Sequence, residues 1–238
     1  MKKSIIALVT MALSATATNA QDIFDNPDNH SYFGVRLSYE LASPGDVSVA
    51  GTPIKYDMFG NGSGFSVEGI YNMPVWKNLY FQPGVGIYYN TYSIDKSVAG
   101  DALDTDARIK GASTRQWGIR IPLHVGYNFD FTPDIRVTFF TGPEVNISFK
   151  GKTHYSVDKF SIDAPLFGND GDFNRADIKW RFGVGATLSD HYYVAVSGAV
   201  GMCDIARDHK YTNESGISVK EKYEMHGNLF DITLGYNF

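Results

Sequence analysis

Ten charged residues sit at alternate positions within strongly patterned segments. They are Arg36, Glu40, Glu68, Arg120, Arg136, Glu144, Asp177, Lys179, Arg181 and Asp231. Five are basic and five acidic. Each shares the polar side of its segment with small residues, while the other side is apolar. Such a set can line a polar path for a solute or an ion, or it can neutralise itself in ion pairs. An uncompensated buried charge is strongly destabilising, so an even mixture in a narrow interior is expected to pair as a structural network.

Other constellations carry less. Asp170, Asp172 and Asn174 alternate like the first ligands of a calcium loop. Arg175 and Arg181 then stand where that loop needs Gly and a bidentate Glu, so an acidic turn is expected and no metal. His154 lies two residues before Ser156, a base near a hydroxyl that could serve as nucleophile. Alternation continued past Phe149 would turn His154 inward, and no catalytic role is expected. His124 reads as an interior polar filler, whereas His30, His191, His209 and His226 fall in turns or loops. Cys203 is the single cysteine, which excludes a disulfide framework and offers no zinc partner. Gly60 to Gly64 precedes a strand rather than a helix, so it reads as a flexible loop end and not a dinucleotide site. No cofactor is expected.

The elements that position these residues alternate with period two, the signature of strands with unlike faces. Eight such segments span 32–41, 64–75, 79–92, 117–129, 135–149, 176–188, 192–202 and 228–238. Each is long enough for the roughly 9–11 tilted residues that cross a bilayer. Three connections are short (74–78, 130–134, 189–191), and four are long (42–63, 93–113, 150–174, 204–227). Short and long connections alternate strictly. This predicts an all-β fold, an eight-stranded antiparallel up-and-down transmembrane β-barrel. A soluble barrel would also alternate, but its exterior would carry Lys and Glu. Here the polar face is rich in glycine, which suits a narrow interior.

Lys2 and Lys3 precede an apolar run from Ile5 to about Ala17, with small residues Thr18 to Ala20 after it. Residues 1–20 are therefore expected to be a signal peptide and 21–238 the barrel with four long extracellular loops. No later run is apolar enough for a transmembrane helix. Lys2 and Lys3 are two of the 21 basic residues, against 26 acidic ones, so the remainder is distinctly acidic and no nucleic-acid partner is expected.

The last strand, ending on Phe238, resembles the terminal strand of Gram-negative outer-membrane barrels. That resemblance implies an outer-membrane location, with Phe238 as the signal read by the barrel-assembly machinery. Phe81-Gln82-Pro83-Gly84-Val85-Gly86, Ile121-Pro122-Leu123 and Thr141-Gly142-Pro143 resemble wall fragments of the OmpX-like and PorT-like family of small outer-membrane barrels. The match implies architecture rather than activity. His154 and Ser156 resemble the His-x-Ser pair of outer-membrane lipid A deacylases, although Val157 stands where that family has Asn.

The expected role is structural or loop-mediated interaction at the cell surface, by a monomer that is not an enzyme. Outer-membrane lipids and lipopolysaccharide are expected partners, with Lys110, Arg115, Lys150 and Lys152 near the rim. A surface protein or glycan could be held by Tyr155, Phe160, Phe167, Tyr211 and Tyr223. The alternatives are a narrow small-solute channel, a component of a secretion or envelope-assembly complex, and a lipid A-modifying enzyme.

Overall fold

A strand with one apolar and one polar face needs two different surroundings, and a closed sheet provides both while leaving no unpaired edge. In the computed structural model the described residues are 30–49, 55–56, 59–94, 109–132, 134–157, 160–168, 171, 173–212, 218–221 and 223–238. The expected signal peptide, Asp170 and Asp172 lie outside them.

Eight strands form the wall: β1 (Tyr32–Pro44), β2 (Phe59–Trp76), β3 (Leu79–Ile94), β4 (Ile109–Thr132), β5 (Ile135–Val157), β6 (Ala176–Leu188), β7 (Tyr192–Gly201) and β8 (Gly227–Asn237). Each pairs antiparallel with the next in sequence. The last returns to the first in unbroken register, from Gly34↔Asn237 to Pro44↔Gly227. The sheet is thus a ring of eight. Tight turns close one end, with Lys77, Ser189 and Asp190 in left-handed conformations. Among the described residues no helix is long and apolar enough to cross a membrane.

At the other end the wall rises further than the sequence pattern indicated. Gly60 to Gly64 belong to β2 and not to a loop, and β4 and β5 continue as a hairpin to Ile109 and Val157. A further strand, Phe160–Pro165, pairs with the end of β5. Val47–Val49, Lys55–Tyr56 and Tyr223–Glu224 make a separate small ribbon.

The faces divide as the alternation requires. Phe33, Leu37, Phe139, Ile232 and Leu234 look outward, as do Trp180 and Phe182, which are 45% and 54% exposed. Arg36, Ser38, Glu40, Arg120, Glu144 and Asp231 are buried inside. A continuous apolar exterior over a polar core suits hydrocarbon and not water.

Inward glycines make room for large inward side chains on neighbouring strands. A Cβ on Gly185 would lie 2.7 to 2.9 Å from atoms of the Tyr193 ring. That ring cannot retreat, because the Arg36 guanidinium lies 4.1 Å from its centroid. Gly185→Val should therefore cost about 1–3 kcal/mol by overpacking. Urea unfolding in phospholipid vesicles should show a lower midpoint, while Gly111→Val, which meets nothing within 4 Å, should leave it unchanged.

Candidate functional site

Alternation in six strands brings most of the inward charges to one level of the lumen. Arg120 on β4 is the hub. Its two terminal nitrogens grip Glu40 of β1, one of them at 3.1 Å. The same guanidinium donates to Ser66 and Glu68 of β2, each at 3.3 Å, and through Nε to Asn146 Oδ1 at 2.9 Å. Glu144 of β5 lies 3.5 Å from Arg120 Nε and accepts from Arg181 Nε of β6 at 2.7 Å. Arg181 then reaches Ser197 of β7 at 2.7 Å and pairs with Asp231 of β8. The chain Glu40–Arg120–Glu144–Arg181–Asp231 crosses the lumen from β1 to β4 and β5 and returns through β6 to β8, where Asp231 stands opposite Glu40. Arg120, Glu40, Glu144 and Asp231 are each no more than 1% exposed.

The remaining members of the expected set stand apart. Arg36 sits nearer the tight turns, donating to Asn237 Oδ1 at 2.7 Å and lying over Tyr193. Lys179 and Asp177 pair at 2.7 Å above the chain, and the ammonium also donates to Gly227 O at 2.6 Å. Arg136 does not join the network. It turns to Asp130 at 2.7 Å, at a partly solvated rim.

Charge alone did not reveal the tyrosines of the lumen. Tyr80 and Tyr88 are buried inside, bonded to Thr138 and Ser148 at 2.8 and 2.7 Å. Tyr92 accepts from Gln116 at 3.0 Å. All three share the parity of Gln82, Gly84, Gly86 and Asn90 on β3, and that parity was the available signal. His124 is buried against the Phe140 ring, 5.3 Å between centroids.

At the long-loop end Val47, Phe59, Ile94, Ala206 and Met225 form a buried apolar cluster over the mouth. Tyr155, Phe173, Ile205 and Tyr223 pack against it. Tyr155 and Tyr223 therefore belong to this cap, and Phe167 is buried at 7% exposure, so the three are not free surface anchors. The side chains of Phe160, Tyr211, Lys110 and His209 lie outside the described residues.

A β-bulge decides the position of His154. Trp117 opposes Lys150 while Gly118 opposes Ser148, so Phe149 is an extra residue on β5. The insertion reverses the faces beyond it, because side chains alternate with period two. Gly151 and Thr153 turn inward, whereas Lys150, Lys152 and His154 turn out, contrary to the expected inward His154. His154 Nδ1 meets Asp163 Oδ1 at 2.8 Å, and Lys152 donates to Asp163 Oδ2 at 3.1 Å. These bonds from His154 and Lys152 hold the Asp163 carboxyl below the usual carboxylate range.

The family model described as outer membrane protein beta-barrel domain matches residues 5–238. The chain is similar to the attachment invasion locus protein Ail of Yersinia pestis, solved with the heparin analogue sucrose octasulfate, at 12% identity and a TM-score of 0.40 over 88% of this chain and 100% of that one. It is similar to OprG of Pseudomonas aeruginosa at 11% identity and a TM-score of 0.42, over 87% and 96% of the two chains. A major outer membrane protein of Thermus thermophilus is similar at 12% identity and a TM-score of 0.44, over 88% and 100%. No curated protein matches. With the ring of eight strands, the apolar exterior and a family match over nearly its whole length, this chain belongs to the outer membrane β-barrel protein family and is a protein of the outer membrane.

Proposed function

We propose that this barrel is a non-enzymatic platform whose long-loop end faces outside and engages a surface protein or glycan. The observation that carries this reading is the filled lumen. An ion-pair chain crosses it and an apolar cluster closes its mouth, so the elevated rim is the surface open to a partner. Loops on a rigid scaffold are where binding normally resides. Residues 1–20 act as the signal peptide in this reading. Phe238, 72% exposed at the end of the outward row, acts as the assembly signal.

Lipopolysaccharide is the immediate neighbour. Arg115 lies opposite Lys152, and Lys150 opposes Trp117, whose ring packs on Phe149. Exposed cations directly above an aromatic belt suit the phosphates of that lipid.

The test is capture from intact outer membranes, comparing the full chain with a variant in which residues 95–108 and 213–217 are replaced by short Gly-Ser connections. A partner recovered with the full chain and lost with the variant supports the platform. An unchanged partner set, or stable single-channel currents of porin size from the reconstituted full chain, would replace it with another role.

A further inference from the structure

Above the ion-pair chain and beneath the apolar cap the lumen opens into a cavity of about 70 Å³. That is room for about five to seven water-sized groups. Two kinds of surface line it. Phe59, Tyr92 and Phe173 present rings, while Asn90, Gln116 and Asp177 present polar groups.

The two cations of the lining, Arg120 and Lys179, are already engaged. Arg120 holds Glu40, Glu68 and Glu144. Lys179 pairs with Asp177 at 2.7 Å and donates to Gly227 O at 2.6 Å. An added cation would meet Arg120 and Lys179, and an added anion would meet the carboxylates they hold. Either would be an uncompensated charge in buried surroundings, so the occupant that fits is neutral. What the lining leaves over is acceptors. Asn90 Oδ1 and Asp177 Oδ1 are buried without a hydrogen-bond partner, and Asn90 is only 2% exposed. Such acceptors call for a donor. Water would meet them but gain nothing from the rings. A short carbon chain bearing several hydroxyls suits both surfaces, with polar groups fixing its orientation and aromatic faces covering its carbons.

We propose that this cavity binds one small neutral polyol of about glycerol size, its hydroxyls on Asp177 and Asn90 and its carbons against Tyr92 and Phe173. The polyol enters when the apolar cap lifts. It satisfies the two acceptors without disturbing the pairs made by Arg120 and Lys179.

The test follows isotope-labelled methionine methyl groups by nuclear magnetic resonance as glycerol is added to the folded full chain, in phosphocholine micelles prepared without it. Met225 lines the cavity and is 3% exposed, whereas Met202 is 58% exposed and reports the surroundings of the barrel. A saturable shift is expected at Met225 and not at Met202. n-Propanol, with the same carbon chain and a single hydroxyl, should bind about tenfold more weakly for want of hydrogen bonds. Asn90→Ala should weaken glycerol about fivefold, and Asp163→Asn on the outer hairpin should leave it unchanged. Should Asn90→Ala fail to fold, Tyr92→Leu supplies the comparison. A merely linear drift at Met225, as when water alone fills the cavity, would overturn the proposal. Equal affinity for n-propanol would overturn it too, as would glycerol affinity unchanged in every cavity variant that folds.

Discussion

Arg120→Met should destabilise the folded barrel by about 3–5 kcal/mol, the cost of removing one partner from a buried ionic network. The size follows from the number of groups left behind. Glu40 loses both bonds to the guanidinium, Glu68 loses its ion pair at 3.3 Å and keeps the Ser66 hydroxyl, and Glu144 keeps Arg181 and the Asn146 amide. Methionine fills much of the volume, so the loss is chiefly electrostatic. Equilibrium urea unfolding in phospholipid vesicles should register it. Adding Glu40→Gln to Arg120→Met should recover part of the stability, because one stranded carboxylate is then gone. Arg136→Met removes a partly solvated pair at the rim and should change stability by no more than about 1 kcal/mol.

Phe182→Arg carries the second large effect. Phe182 is the central residue of β6, 54% exposed on the outward face, so its side chain meets hydrocarbon. An arginine on the lipid face near the midplane costs about 2–4 kcal/mol. The adjacent Arg181 is tolerated because its side chain points the other way, into Glu144 and Asp231. A loss within that range, by the same unfolding measurement, is the expected result. A soluble barrel would instead gain solubility from the change and lose little stability.

The wall was legible in the sequence because period-two alternation acts strand by strand and needs no knowledge of neighbours. Trp117 to Phe129 stated both faces of β4, and the remaining segments agreed with it. Pairing inside the lumen was less legible, since parity places a residue on a face without saying at what height it sits. Arg136 and Arg120 share inward parity, yet one reaches Asp130 at the rim and the other Glu40 at the centre.

The bulge at Phe149 was hidden for a related reason. One extra residue reverses every later side chain, and only the partner strand reveals it. Hence unbroken alternation puts His154 inside, although it faces out toward Asp163. The cap was also unreadable. Val47, Phe59, Ile94, Ala206 and Met225 are far apart in sequence, and no periodicity links them.

Whether apolar rows meet hydrocarbon can be read without labels from strand β7. In a bilayer nanodisc, nuclear Overhauser contacts between acyl-chain protons and protein methyl groups report which side chains touch lipid. Such contacts are expected for Val194, Val196 and Val200, which are 40–46% exposed, and none for Ala195 and Ala199, which are 4% and 1% exposed. Acyl-chain contacts to the two alanines with none to the three valines would contradict that expectation.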